Sequence, residues 1–423
     1  MTRKRVGFYG DDFTGSVDVL LQFARHGWSG TLFVGLPDPE VLSTAARDHD
    51  VIGIAGIARS LPRAAIAAEV APVLRELHRI GCDIVQYKAC STADSSPTVG
   101  SIGRVIEVAR DEFGPAPIPV VFAQPDFGRY TVFGHHFAAE NGTVYRLDRQ
   151  PTMSQHPSTP MRESDLRVHL GEQTPLPIGG ITAVEYATHY STGAALAARL
   201  QSAPDAAMVL DVLDDTHLTL IGEAVTQASE PVFAIGSGGL SWGIASTDSR
   251  DSAHTLPHAT PQRGPVLAVS GSRSPQTQRQ IARAVASGWA LLELPATPDA
   301  CVPAITQAER LLAEGTSVVF SSHDLDLGSG EAALDAITET AAEIIRGAGG
   351  GAGRIIVCGG DTSSRIVSRL GIRSLAIAAR PEGNIVLLRA HAPGSDIDGA
   401  ELLLKGGQVG ADGLFEQIRT LDA

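Results

Sequence analysis

The stretch Arg5–Gly10, RVGFYG, runs directly into Asp11–Asp18, DDFTGSVD. The first part has the apolar character of a buried strand. The second begins with two adjacent carboxylates, whose mutual repulsion is unfavourable unless a ligand or another group binds them. We predict a polar ligand site at this strand-to-helix turn, since small molecules bind at the carboxyl ends of α/β strands. Thr14 and Ser16 can cap the following helix, and Gly15 lets the backbone approach a ligand. The alternative is a helix N-terminus whose acids only complement its dipole.

Strand-like apolar runs alternate with helix-like stretches along the whole chain, which is the pattern of a parallel sheet covered by helices. The clearest further runs are Gly30–Val34, Val51–Ala55, Ile84–Lys88, Pro119–Ala123 and Ala207–Asp211. Most are followed by a small or charged residue, where a turn begins. We predict an α/β fold with mainly parallel sheets and helices on both faces.

The length and one segment of unusual composition predict two domains. A chain of 423 residues with 43% hydrophobic content can bury two cores. Ser246–Gly264 is polar, punctuated by proline and without a period, so it is the best candidate for a linker. We therefore predict a first domain over residues 1–250, a linker over 251–264 and a second domain over 265–423, with a ligand cleft between the domains.

The net charge of −14 argues against a nucleic acid or an anionic membrane as a partner, because either needs a basic surface. An anionic substrate would need a local basic pocket, and two of the three lysines, Lys88 and Lys405, lie in polar turns. The four cysteines show neither metal-ligand spacing nor a disulfide pattern. Without a signal peptide or a run of about 18 apolar residues, the sequence predicts a soluble cytoplasmic protein. No pattern predicts the oligomeric state.

Three small-residue turns in the second domain each follow an apolar strand. They are Ser270–Thr277, Gly359–Ser364 and Lys405–Gly410. Glycines let phosphate oxygens approach backbone amides, and a following helix adds unpaired N–H groups and the positive end of its dipole. One such turn is ordinary, but three in one small domain favour a nucleotide pocket. No Gly-x-x-x-x-Gly-Lys-Ser/Thr motif occurs, which excludes an ordinary Walker-type ATPase.

In the first domain, polar residues follow two further strands. Arg59 follows the third predicted strand, and Tyr87–Pro97 combines Lys88, Asp94 and several hydroxyls. Lys88 and Arg59 suit a carboxylate, and the acids suit sugar hydroxyls. The alternative is a solvated, serine-rich loop that caps the next helix at Ser101.

Seven short segments, taken in order, resemble the four-carbon acid sugar kinases. They are Gly10–Gly15, Tyr87–Ser96, Gln124–Pro125 with Gly128–Arg129, Thr159–Leu166, Ser270–Ser272, Gly359–Ser363 and Lys405–Gly407. The resemblance covers nearly the whole chain. It implies ATP-dependent phosphorylation of a small anionic sugar acid, such as a threonate, an erythronate or a 3-oxo-tetronate, at its terminal hydroxyl. It also implies that the first domain binds the acid sugar and the second binds ATP.

The resemblance further implies the residues of each site. ATP is expected at Ser270, Gly359, Gly360, Asp361, Thr362, Ser363 and Gly407, and the sugar acid at Asp11, Asp12, Arg59, Lys88, Asp94 and Ser95. Family members often have phenylalanine at the position of Ala93, cysteine at that of Arg273 and Ser-Gly-Asn-Phe-Gly at 406–410. The reaction class survives these departures, but the identity of the acid does not follow.

We expect Asp12 to orient or deprotonate the attacking hydroxyl, because a carboxylate beside another acid can hold a raised pKa, and Asp11 could exchange roles with it. Lys405 is expected to neutralise phosphate charge. Mg²⁺ is expected to bridge the phosphates, with Asp361 as a direct or water-mediated ligand. Two alternatives stay open: a kinase for a branched or five-carbon sugar acid, and a non-catalytic nucleotide-gated metabolite-binding protein.

Overall fold

A computed structural model of the chain describes residues 4–228, 230–248, 264–323, 325, 331–382 and 385–421, and it describes the side chains of these residues except those at 331, 361, 381 and 382. The chain forms two compact units, Met1–His254 and Thr255–Ala423. The predicted linker lies outside the described residues apart from Gly264.

The first unit contains one parallel sheet and one small antiparallel sheet. Its strands are β1 Val6–Gly10, β2 Gly30–Val34, β3 Val51–Ala55, β4 Ile84–Lys88, β5 Ile118–Val121, β6 Arg129–Val132, β7 His135–Glu140, β8 Thr143–Arg146, β9 Ile178–Ile181, β10 Ala207–Leu210 and β11 Val232–Gly236. The parallel sheet has the order β2-β3-β1-β4-β11-β5-β10-β9, and β6, β7 and β8 form the antiparallel sheet. Strands β1, β3 and β4 are buried at every position, as expected when helices cover both faces.

The helices of the first unit separate these strands. They are α1 Phe13–Ala24, α2 Pro39–Asp48, α3 Arg63–Arg79, α4 Ile102–Phe113, α5 Leu166–Gly171, α6 Ala183–Thr188, α7 Gly193–Gln201, α8 Asp215–Thr226 and α9 Gly238–Ser246. Apolar residues of α3 and α4 form a core with alternate residues of the sheet, among them Tyr9 and Val85. Within the described ranges, no helix is long and apolar enough to cross a membrane.

The second unit contains the remaining strands and has its own core. Its strands are β12 Val266–Ser270, β13 Ala290–Glu293, β14 Val318–Ser321, β15 Arg354–Cys358, β16 Ser374–Glu382, β17 Ile385–His391 and β18 Glu401–Lys405. Its helices are α10 Pro275–Ala286, α11 Cys301–Ala313, α12 Glu331–Ala348, α13 Gly360–Arg369 and α14 Leu414–Thr420. Strands β13-β14-β12-β15-β18 are parallel, and β17 and β16 follow antiparallel. The predicted α/β class with mainly parallel sheets is confirmed.

Candidate active site

The carboxyl ends of three neighbouring strands of the first unit lie level with one another. Gly10 at the end of β1 pairs with Ala55 at the end of β3 and with Lys88 at the end of β4. Residues that follow these positions therefore gather at one edge of the sheet. This arrangement brings Asp11 and Arg59 to the edge where Lys88 lies.

Arg59 joins the two adjacent carboxylates. It lies in a short 3-10 helix, Ala58–Ser60, and its backbone N–H donates to the Asp11 carbonyl over 3.1 Å. Its Nη2 lies 2.6 Å from Asp11 Oδ1 and 2.8 Å from Asp12 Oδ1, and its Nε lies 3.3 Å from Asp11 Oδ2. The guanidinium thus engages both oxygens of Asp11 and only one of Asp12, whose Oδ2 has no hydrogen-bond partner among the described residues.

The two carboxylates differ in their exposure to water. The side chain of Asp11 is 2% exposed and that of Asp12 is 30% exposed. Burial raises the pKa of Asp11 from its ordinary value of 3.8 to about 6, while Arg59 opposes this change and the charge of Asp12 adds to it. The group with the raised pKa is therefore Asp11, the buried member, and Asp12 is the more exposed carboxylate.

Asp12, rather than Thr14 or Ser16, caps α1, so the sequence-based expectation was wrong on this point. Asp12 Oδ1 accepts a hydrogen bond from the N–H of Gly15 over 3.0 Å, and the Ser16 hydroxyl donates to the Asp12 carbonyl over 2.7 Å. A Cβ at Gly15 would lie 2.5 Å from Asp12 Oδ1 and 2.8 Å from Lys88 Nζ. Glycine at this position therefore allows the lysine and the carboxylate to lie close together.

Lys88 and Asp18 complete the cluster. Lys88 is buried, and its Nζ donates to the Ala89 carbonyl over 2.8 Å. The carboxylate of Asp18 accepts from Gln124 Nε2 over 3.3 Å; burial raises the pKa of Asp18, and the charge of Lys88 opposes this change. Sequence reasoning assigned no role to Asp18, although it lies in the opening stretch on the helix that begins there.

The loop after β4 carries Asp94 and also caps the next helix. Asp94 is buried and accepts a hydrogen bond from Thr92 Oγ1 over 2.6 Å. Ala93 has φ +52°, in the left-handed region that a non-glycine residue rarely adopts and that recurs at ligand sites. Ser101 is the N-cap of α4, and its hydroxyl accepts from the N–H of Arg104. The alternative interpretation, a loop that caps the next helix at Ser101, is therefore correct for the cap itself.

Ser95 supports this loop and does not present a free hydroxyl. Its Oγ donates to the Ala93 carbonyl over 2.9 Å, accepts from Gln173 Nε2 over 2.9 Å and lies 2.9 Å from His169 Nε2. A serine hydroxyl has one donor and two acceptor positions, and these three contacts within the protein use all of them. The expected contact between Ser95 and a substrate is therefore not supported, and we leave Ser95 out of the proposed site.

In the second unit, the three small-residue turns follow adjacent strands. Ser270 at the end of β12 pairs with Cys358 at the end of β15, which pairs with Lys405 at the end of β18. The turns contact one another closely: a Cβ on Gly407 would lie 2.7 Å from Ser272 Oγ. All three turns therefore lie at one edge of this sheet, where parallel-sheet proteins bind ligands.

The turn at Gly359 combines a positive φ with the start of a helix. Gly359 has φ +121°, its N–H donates to the Lys405 carbonyl over 2.9 Å, and a Cβ would lie 2.7 Å from Thr362 Oγ1. Gly360 opens α13, so the first amides of that helix lie at this turn. Thr362 and Ser363 are buried there, and the Ser363 hydroxyl donates to the Val357 carbonyl over 3.4 Å. The side chain of Asp361 lies outside the described ones.

Lys405 lies beneath its turn. The residue is buried, and its Nζ donates to Thr277 Oγ1 over 3.1 Å. Burial lowers the pKa of Lys405, while the nearby Cys358 thiol opposes this change. The ammonium of Lys405 therefore has one acceptor inside the protein, and its expected role in neutralising phosphate charge stays a prediction.

Comparison with known proteins matches each unit to a domain family. A sugar-binding N-terminal domain matches residues 6–244, and a nucleotide-binding C-terminal domain matches residues 267–415. A 3-oxo-isoapionate kinase from Paraburkholderia graminis is 37% identical, with 98% of this chain and 94% of the relative covered. A 3-oxo-tetronate kinase from Methylobacterium radiotolerans is 30% identical, with 97% of each chain covered.

The fold has a counterpart among solved structures. The Haemophilus influenzae protein HI1011 aligns with a TM-score of 0.78 at 23% identity, with 97% of this chain and 98% of that chain covered. This likeness supports the fold, and the two matched domains, which together span most of the sequence, support the family. The chain belongs to the four-carbon acid sugar kinase family.

Proposed function

We propose that this protein transfers the γ-phosphoryl group of ATP to the terminal hydroxyl of a small sugar acid. It is a phosphotransferase of sugar acids, and its second unit carries the nucleotide-binding domain. The observation that carries the site assignment is the pair Asp11–Asp12 joined by Arg59, in which Asp12 is the more exposed member and its Oδ2 has no partner among the described residues.

In the proposed mechanism, Asp12 accepts the proton of the attacking hydroxyl at Oδ2. Arg59 and Asp11 hold the carboxylate of Asp12 in place, and Asp94 binds a further substrate hydroxyl. Lys88 attracts the substrate carboxylate, because the only acceptor of its ammonium among the described residues is the Ala89 carbonyl. General-base assistance of this kind typically contributes 10²–10⁴-fold to the rate.

The proposed nucleotide site consists of Ser270, Gly407 and the N-terminal turn of α13, Gly359–Ser363. The described residues contain no cluster of three or more His, Cys, Asp or Glu side chains that could hold a metal ion. Mg²⁺ needs no such cluster, because it usually binds through nucleotide phosphates, waters and one or two carboxylates. We propose Asp361 as that carboxylate; when bound, the ion neutralises phosphate charge.

The substrate is either a branched or a linear sugar acid. The relative at 37% identity is a kinase of 3-oxo-isoapionate, and the one at 30% is a kinase of 3-oxo-tetronate. Because the isoapionate kinase is the more similar of these two relatives, we propose a branched, apionate-type acid as a second candidate substrate, beside a four-carbon tetronate. A cytoplasmic location and the absence of nucleic-acid and membrane partners stay predictions.

The decisive experiment measures ADP release by the purified protein with ATP and Mg²⁺ against 3-oxo-isoapionate, 3-oxo-tetronates, threonate and erythronate. We expect at least one acid to stimulate ADP release, and nuclear magnetic resonance of the product should place the phosphate on the terminal oxygen. A flat panel, with ATP binding still detectable by calorimetry, would contradict kinase activity on these acids and favour the non-catalytic metabolite-binding alternative.

A further inference from the structure

One face of α10 holds the backbone of the loop that follows β18. Thr277 Oγ1 donates to the Gly407 carbonyl over 2.8 Å. Gln276 Nε2 donates to the Gly410 carbonyl over 2.7 Å. Gln280 Nε2 lies 3.0 Å from the Val409 carbonyl, 3.1 Å from that of Gly410 and 3.0 Å from that of Ala411. Four carbonyl groups of this loop thus point toward one helix.

For two of these side chains, the chemistry of their neighbours determines which group donates the hydrogen bond. An ammonium group can only donate, so the contact between Lys405 Nζ and Thr277 Oγ1 directs the hydroxyl proton of Thr277 to the Gly407 carbonyl. Gln280 is buried and its Nε2 faces three carbonyl oxygens, so the flipped amide would oppose oxygen to oxygen. Thr277 and Gln280 therefore act on the loop only as donors, and Gln276 Nε2 donates both to the Gly410 carbonyl and to Asp412 Oδ1.

The carbonyl directions determine where the amides point. In a trans peptide the C=O of one residue and the N–H of the next point in opposite directions, and the described backbone contains no cis peptide. The N–H groups of Gln408, Gly410 and Ala411 therefore point away from α10. None of the three has an acceptor among the described residues, and the loop is partly to fully exposed there. Such outward amides form an anion-binding surface.

We infer that Gln276, Thr277 and Gln280 are positioning residues of the nucleotide site, which turn the amides of Gln408, Gly410 and Ala411 toward a phosphate group. This inference rests on the proposed function, because it requires a nucleotide at this edge of the second unit. It also gives Lys405 a role, which is to fix the hydroxyl of Thr277. Gln276, Thr277 and Gln280 act through the loop and not by contact with the phosphate.

Three variants test the inference by calorimetry of ATP binding. Gln280→Glu replaces the donor by an acceptor that repels the carbonyls and attracts the amides, and Thr277→Val removes the hydroxyl. We expect each to weaken ATP binding about tenfold or more, since hydrogen bonds to charged groups contribute about 1.5–3 kcal/mol. Thr277→Ser keeps the donor and should stay within about threefold of the wild type. The KM for the sugar acid should not change in any variant.

The readouts separate the possible results. Variants that retain the melting temperature of the wild type and bind ATP as it does would overturn the inference, and so would equal losses of ATP and sugar-acid affinity. If Thr277→Val does not fold, the ATP affinity of Gln280→Glu is compared with that of Thr277→Ser, and this comparison decides whether the inference holds. A wild-type protein that binds no ATP would instead refute the proposed function, and the inference with it.

Discussion

Arg59 contacts two adjacent carboxylates unequally. It binds both oxygens of Asp11 and a single oxygen of Asp12. Asp11 is buried behind this contact, whereas Asp12 is half-buried and also caps α1. Two residues of the same type, adjacent in sequence, thus acquire different roles from their surroundings: Asp11 holds the arginine, and Asp12 presents Oδ2.

Asp12→Asn tests the role of the accessible carboxylate. The amide oxygen of asparagine can still cap α1 and accept from Arg59, but the nitrogen that replaces Oδ2 accepts no proton. We expect kcat to fall by about 10²–10⁴-fold while the Kd for ATP stays unchanged. Steady-state kinetics and calorimetry measure the two quantities. Unchanged turnover, or an equal loss of ATP affinity, would exclude this role for Asp12.

The raised pKa of Asp11 predicts a step in the pH profile. As the pH falls through about 6, Asp11 becomes protonated and holds Arg59 less strongly, so that Arg59 shifts toward Asp12 and reduces its basicity. We expect kcat/KM for the sugar acid to decrease below this pH. Asp11→Asn, which resembles the protonated form, should be less active at pH 8 and should lack the step. The same step in the variant would assign it to another group.

The raised pKa of Asp11 also determines how the free energy of unfolding changes with pH. Since the pKa of Asp11 is higher in the folded chain than its ordinary value of 3.8, the folded state binds this proton more tightly. The contribution of Asp11 to the free energy of unfolding is therefore fully present below pH 4 and is lost as the pH rises through about 6. Asp11→Asn should remove this decline, which urea unfolding at several pH values measures.

At the scale of helices and strands, the parts of the site that the sequence predicts are those at strand ends. Asp11, Lys88 and Gly359 each lie at or just after an apolar run, and the carboxyl ends of parallel strands meet at one edge. Side chains that act from helices escaped this reasoning. Asp18 and Gln280 occupy positions of ordinary helical pattern, and only the folded structure shows what each contacts.

Contacts between distant segments were also beyond the sequence. The hydroxyl of Ser95 belongs to a polar, ligand-like segment, yet it bonds to His169, which lies 74 positions further along the chain. Such a pairing has no local signature, because it depends on where α5 packs. The bond between Lys405 and Thr277 on α10 likewise has no local signature in the sequence.

The contact between two turns of the second unit makes a matched pair of glycine variants informative. A Cβ at Gly407 would lie 2.7 Å from Ser272 Oγ and 2.9 Å from Ser274 Cβ, whereas a Cβ at Gly406 would have its nearest neighbour, Val409 Cγ2, at 3.5 Å. We expect Gly407→Ala to displace the turns and raise the KM for ATP about tenfold, as overpacking costs about 1–3 kcal/mol. Gly406→Ala should behave like the wild type. Equal effects of the two variants would contradict the packing argument.

At the scale of the whole molecule, two units carry separate cores, and one buried ion pair belongs to the second core alone. Glu401 accepts from Arg354 Nε over 2.9 Å and from Arg389 Nη2 over 3.0 Å, and both Glu401 and Arg354 are almost fully buried. Arg354 Nη1 also donates to the carbonyls of Ile418 and Leu421 at the end of α14. The pair therefore joins the amino ends of two central strands to the last helix.

Removing Glu401 leaves the buried charge of Arg354 without its carboxylate partner. We expect Glu401→Ala to lower the free energy of unfolding by about 3–5 kcal/mol, and combining it with Arg354→Met to recover part of that loss, because the unpaired charge is then gone. Glu314→Ala, at an exposed pair with Arg310, should cost less than about 1 kcal/mol. Urea unfolding measures all three, and calorimetry should show unchanged sugar-acid binding by the first unit under native conditions. A loss below about 1 kcal/mol for Glu401→Ala would mean that water or a neighbouring group compensates Arg354, and that the pair does not hold α14 against the sheet.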